Sequence, residues 1–165
     1  MFKGSIVALV TPMKDDGSID FSDLANLIDY HINSGTQGLV AMGTTAESAT
    51  LSFEEHQQVI QFVCEKVAKR IPVFAGNGTN NTLESVNRTK ILDTFDIDGF
   101  LTVVPYYNNP SQQGMIAHFN AIARTTDKPL MLYNVPGRTV ADLLPETVAQ
   151  LSKTTNIIGI KEKED

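Results

Sequence analysis

Residues 130–161 read LMLYNVPGRTVADLLPETVAQLSKTTNIIGIK, and this run holds one full turn of the chain's rhythm. LMLYNVP is a short apolar stretch that suits a pleated, buried surface, and it closes on a proline that cannot continue a ladder. Helical spacing follows over Pro145–Lys153, and IIGIK then gives a second apolar run. Two buried strands joined through a helix are the unit of a parallel sheet. The same alternation extends back to the N-terminus. SIVALVTP, GLVAMG, VFAGNG and GFLTVVP read as earlier strands, with helices expected near Ser22–Ser34, Ser52–Arg70, Thr82–Phe95 and Ser111–Thr126. The fold class is therefore α/β. Periodicity does not separate an open doubly wound sheet from a closed (β/α)8 barrel; length leans toward the open sheet, because a barrel typically takes about 250 residues.

Helix starts are marked locally. Ser52 with Glu55 three residues on matches a capping box, and Ser22 and Ser111 are expected to cap their own helices. Pro12, Pro105 and Pro136 mark strand ends, while Gly43 and Gly78 are read as permitting tight turns. The loops that follow the strands are TPMKDDG, GTTAES, GNGTNN, PYYNNPSQQG, NVPGRT and KEKED. Parallel α/β folds carry their chemistry at the carboxyl ends of the strands, so a site is sought in these loops.

Composition narrows the classes of function. A chain of 165 residues, 42% hydrophobic and 19% charged, suits one soluble globular domain. The net charge of −6 and the lack of a Lys/Arg cluster argue against nucleic acid. SIVALVTPM is too short to span a bilayer and has no cleavage site before DDGSID. A cytoplasmic protein without membrane attachment is expected. The lone Cys64 cannot form an internal disulfide and falls on the apolar spacing of HQQVIQFVCEKVAKR, so it reads as core. His31, His56 and His118 are far apart in sequence and no metal-site spacing occurs; neither a Walker A nor a dinucleotide fingerprint follows the first strand.

Three features carry candidate chemistry. GTTAES offers backbone N–H groups and two hydroxyls to a small anion, or simply caps a helix. Lys161 ends an apolar strand, where desolvation favours a neutral amine able to attack a carbonyl; the plain alternative is a solvated lysine at a strand exit. Tyr133 is a phenol in an apolar strand and needs a hydrogen-bond partner or a role in proton transfer.

Taken together, GTTAES, PYYNNPSQQG, YNVPGRT and IIGIKE resemble the dihydrodipicolinate synthase family of class I pyruvate-dependent aldolases, and the similarity runs in order from FKGSIVALVTPM through Lys161. The resemblance implies a (β/α)8 barrel with these loops on its catalytic rim. It implies a lyase of lysine and diaminopimelate biosynthesis that condenses pyruvate with aspartate semialdehyde. Lys161 would form the pyruvate Schiff base, so that no separate cofactor is needed. Tyr133 would relay protons, with Thr44 connecting it to Tyr107, which in the family reaches across a dimer interface of a homotetramer. Gly43, Thr44 and Thr45 would hold the pyruvate carboxylate, and Arg138 the carboxylate of the aldehyde. Ser48, Ala49, His56, Asn80, Glu84 and Tyr106 match a pocket where many members bind lysine as inhibitor. Related N-acetylneuraminate lyases and keto-deoxy-sugar-acid aldolases share the lysine and first tyrosine, but PYYNNPSQQG followed by PGRT favours the synthase.

Three departures from the family pattern stand out. Phe53 replaces a histidine common in lysine-sensitive members. Ala46 occupies a position that is normally glycine, which matters if positive φ is needed there. After Glu162 the small-residue loop of the family is replaced by KED. On this reading residues 1–165 form an incomplete barrel domain of about six βα units, with strands one and six lacking the neighbours that close a barrel. The alternative to an active synthase is a catalytically incompetent fragment of one.

Overall fold

A computed structural model describes residues 2–163. The chain divides into two compact units. The first runs to Gly76 and includes Phe95–Asp98; the second comprises Asn77–Thr94 and the chain from Gly99 onward.

In the first unit, β1 (Ile6–Ala8), β2 (Gly38–Ala41) and β3 (Val73–Gly76) lie side by side in sequence order, all parallel, with Ile6 opposite Gly38 and Val40 opposite Phe74. Every residue of β2 and β3 is buried, as expected of strands covered on both faces. Helices α1 (Phe21–Asn33) and α2 (Phe53–Val67) alternate with them. Ser52 opens α2 with both bonds of a capping box, and Val59, Ile60, Val63, Cys64 and Val67 bury one stripe of the helix. Cys64 is thus a core residue. Lys66 and Arg70 at the end of α2 both reach Asp29 of α1, at 2.6 and 3.1 Å. These ion pairs are half-exposed and add little beyond the apolar packing beneath them.

One cap differs from the expectation. Asp20, not Ser22, caps α1, its carboxylate accepting from the N–H groups of Ser22 and Asp23 at 3.0 Å each. Either residue suits a cap; the chain enters the helix in time for the earlier one.

The second unit holds β4 (Gly99–Val103), β5 (Leu130–Asn134) and β6 (Ile157–Glu162), again parallel and in sequence order. Its helices are α3 (Thr82–Leu92), α4 (Gln112–Ala123), α5 (Pro136–Thr139) and α6 (Pro145–Leu151). Ser111 caps α4 as expected. The short α5 was not expected: β5 stops at Asn134, and Pro136 starts a helical turn instead of closing the strand. Proline suits that first helical position, where its missing N–H costs nothing. Buried Asn77 ties β4 to α3, donating to Thr89 and accepting from Thr102. Asn156 donates to the carbonyls of Ala123 and Thr126, joining the start of β6 to the end of α4.

Neither glycine singled out for turns has positive φ. Gly78 is required for another reason: a Cβ there would lie 2.7 Å from the Val103 nitrogen. Gly76 is tighter still, its would-be Cβ 2.1 Å from the Met42 carbonyl oxygen. Gly43 adopts φ −80° and meets only ordinary van der Waals spacing.

Candidate active site

In the first unit, β2 runs out through Met42 and Gly43 into a single 3-10 turn, Thr44–Ala46. The Ala46 N–H donates to the Gly43 carbonyl and the Glu47 N–H to that of Thr44. The turn's own bonds therefore leave the N–H groups of Thr44 and Thr45 available at its start. Both threonines are exposed, and neither hydroxyl has a partner among the described residues of this unit. Thr11 fixes the far end of the turn by donating to the Ala46 carbonyl at 2.9 Å. Positive φ falls on Glu47, at 57°, and not on Ala46, so alanine at that position is accommodated without strain. Two backbone donors and two hydroxyls on one turn can receive a small carboxylate.

In the second unit, β5 and β6 bring Tyr133 and Lys161 opposite each other in register. The Lys161 Nζ lies 4.1 Å from the centroid of the Tyr133 ring. Tyr133 is 4% exposed; Lys161 is half-buried. The phenol makes no hydrogen bond among the described residues of its unit, which leaves it available to a ligand. An amine held over a buried aromatic face is confined to one direction of approach, a prerequisite for attack on a bound carbonyl.

The other candidate residues lie on strand-exit loops and on the helices that follow them. Tyr107 is 91% exposed with φ 71°. Its neighbour Asn108 is held by Asn80 through a reciprocal pair, each side-chain amide donating to the other residue at 2.8 Å. Arg138 lies on α5, exposed, its guanidinium without a partner among the described residues. Among the positions matched to an effector pocket, Ser48 and Ala49 sit on a second 3-10 turn and His56 is buried with its Nε2 2.8 Å from the Gly76 carbonyl oxygen. Glu84 already pairs with Arg88 at 2.6 Å, and Tyr106 is 37% exposed. Phe53 lies against the His56 ring at 5.8 Å. Among the described residues no cluster of three or more His, Cys, Asp or Glu side chains is placed to hold a metal ion. No helix of the described residues is long and apolar enough to cross a membrane. The KED departure falls partly on residues 164 and 165, which lie outside the described residues.

Sequence reasoning passed over Asn134. It is 2% exposed and directly follows Tyr133 in β5. A lone amide in an apolar strand was the signal, since such a group is buried only with its hydrogen bonds satisfied.

Strand succession and strand-exit loops define an α/β protein of the (β/α)8 barrel class, with six strands among the described residues. The model of the dihydrodipicolinate synthetase family matches residues 1–165, and the chain belongs to that family of lyases. The chain is 55% identical over 162 residues to the 4-hydroxy-tetrahydrodipicolinate synthase of Pseudoalteromonas atlantica, covering 98% of this chain and 55% of the relative. A crystal structure of the chloride-inhibited dihydrodipicolinate synthase of Acinetobacter baumannii, complexed with pyruvate, superposes with a TM-score of 0.96 at 48% identity, covering 98% of this chain and 55% of that one. The synthase of Cyanidioschyzon merolae with lysine bound gives a TM-score of 0.95 at 42% identity, again over 98% and 55%. The chain thus spans about half the length of the relatives it matches.

Proposed function

We propose that the protein acts as a 4-hydroxy-tetrahydrodipicolinate synthase, condensing pyruvate with aspartate semialdehyde in lysine and diaminopimelate biosynthesis. The Lys161 amine attacks C2 of pyruvate and water is expelled, giving a Schiff base. Loss of a proton from C3 gives the enamine, whose carbon attacks the aldehyde to form the new C–C bond. Tyr133 carries protons to and from this centre, with Thr44 and Tyr107 continuing the relay and Tyr107 supplied across a dimer of a homotetramer. The turn at Gly43, Thr44 and Thr45 receives the pyruvate carboxylate through charge-assisted bonds. Arg138, whose guanidinium has no partner among the described residues, receives the carboxylate of the aldehyde. The Schiff base is covalent to the protein, so no separate cofactor is invoked. Lysine acts as an effector at Ser48, Ala49, His56, Asn80, Glu84 and Tyr106, displacing Arg88 from Glu84; the cytoplasm is the compartment.

The observation that carries this reading is the amine of Lys161 over the ring of Tyr133, on a chain 48% identical to a synthase solved with pyruvate. Intact-mass measurement after incubation with pyruvate and borohydride tests it, beside a Lys161→Ala variant. A reduced pyruvate adduct on the parent chain alone is expected. Absence of the adduct from a soluble parent chain would favour the second reading, a fragment that carries the lysine without a competent site; the 55% coverage of its relatives is what keeps that reading in view.

A further inference from the structure

Pairing between β5 and β6 is irregular at its start. Leu130 lies opposite Ile157, but Met131 lies opposite Gly159, so Ile158 is an extra residue on β6. It is 46% exposed. Strand faces alternate with every residue, so this single insertion decides which face Lys161 occupies. With it, Lys161 pairs with Tyr133. An unbulged ladder continuing from Leu130 and Ile157 would instead set Ile160 opposite Tyr133 and Lys161 opposite Asn134, on the reverse face. The start of β6 does not choose between these registers, because Leu130 pairs with Ile157 in both.

The choice is made downstream, at Asn134. Its Nδ2 donates to Asp142 Oδ1 and to Glu162 Oε1, both at 2.8 Å, while its Oδ1 accepts from the Leu143 N–H at 3.1 Å. The two carboxylates fix the orientation of the amide, since the reverse orientation would set its oxygen against theirs. Its main-chain carbonyl accepts from the Lys163 N–H at 3.1 Å. Asn134 is therefore anchored to the loop after α5 on one side and grips the residue after Lys161 on the other. The Asp142 loop is itself held, its carbonyl accepting from Gln112 at 2.7 Å. In the unbulged register Glu162 would move beyond this pairing and turn to the other face.

We infer that Asn134 is a positioning residue that sets the register of β6 and so directs Lys161 to the face of Tyr133. The inference rests on the reading of Lys161 as the Schiff-base amine for its functional meaning, but the register claim stands on geometry alone.

The test compares the parent chain with N134A, E162Q and a double change in which N134A is combined with deletion of Ile158. Two readouts are taken: the nuclear Overhauser effect between the Lys161 ε-methylene and the Tyr133 ring, and the rate of borohydride-trapped pyruvate adduct. Misplacement of a reacting group by an ångström or more costs large factors in rate. N134A is therefore expected to abolish the Lys161–Tyr133 Overhauser effect and to slow trapping by at least about tenfold, with amide protection in β4 unchanged. E162Q keeps an acceptor oxygen for Asn134 and is expected to behave as the parent in both readouts. Deleting Ile158 lets an unbulged ladder place Lys161 opposite Tyr133, so the double change is expected to restore the Overhauser effect that N134A abolishes. An unchanged Overhauser effect in N134A, or loss of β4 protection in that variant, would overturn the inference. Failure of the deletion to restore the effect would overturn it too. A parent chain that gives no adduct yet shows the Overhauser effect, abolished by N134A and restored by the deletion, would sink the Schiff-base reading and leave the register assignment standing.

Discussion

Val140, two residues after Arg138, holds a strained backbone. It follows α5 with φ 64° and ψ −22°, and its side chain is 78% exposed. A β-branched residue in this left-handed region costs on the order of 1–3 kcal/mol, and the exposed isopropyl group returns almost nothing in burial. Val140→Gly is expected to raise stability by about 1 kcal/mol, after the extra entropy glycine loses on folding. A rise in the urea midpoint at unchanged slope would show it; an unchanged or lower midpoint would mean that the Val140 side chain makes compensating interactions. Glu47 and Tyr107 also have positive φ, at 57° and 71°, both on strand-exit loops. Such backbone also occurs at Ala68 and Lys69, where it ends α2.

Among the elements, the N-terminus of α1 gives a clean comparison. Asp20 accepts from two N–H groups there, whereas Ser22 lies inside the first turn. Asp20→Ala is expected to cost about 1 kcal/mol and Ser22→Ala only a few tenths. Equal losses in paired denaturation curves would contradict the assignment. Strand ends depend on close backbone approach. A methyl group at Gly76 would meet the Met42 carbonyl oxygen, which is main chain and cannot swing aside. Gly76→Ala should therefore destabilise by several kcal/mol, in the range of severe overpacking. A loss below about 1 kcal/mol, measured by chemical denaturation, would show that the loop after β2 yields.

Acid lability belongs to the whole molecule. His118 of α4 is buried against Thr82 of α3, with Nδ1 2.9 Å from the Thr82 hydroxyl and Nε2 without a hydrogen-bond partner among the described residues. Burial lowers its pKa from 6.5 to about 4. The unfolded chain therefore takes up a proton first as pH falls. Stability from this residue is full above pH 6.5, declines between 6.5 and about 4, and totals on the order of 3 kcal/mol. Asp29, held below its usual range by hydrogen bonds from Lys66 and Arg70, and Glu55, lowered by Ser52, act in the same direction in a lower window, because folding favours their charged forms. Their contribution is present above the ordinary carboxylate values of 3.8 and 4.5 and disappears as pH falls through the depressed ones. Urea midpoints from about pH 7 to about 4.5 are thus expected to fall for the parent chain and stay nearly flat for His118→Gln. A parallel decline in both would assign the acid loss elsewhere.

The sequence by itself determined the α/β class, the positions of the main helices, the capping box at Ser52, the core role of Cys64 and the place of Lys161 among the family's motifs. These follow from local periodicity, turn chemistry and motif order, which a linear reading contains. Only the tertiary structure decided what depends on residues far apart in the chain. Glycine is needed at 76 and 78 because another segment's backbone passes too close for a side chain. Ala46 is free of strain because Glu47 takes the left-handed conformation. Lys161 faces Tyr133 because one inserted residue, Ile158, and the grip of Asn134 on Glu162 set the register. Strand register is a relation between two segments, and neither segment's own sequence states it.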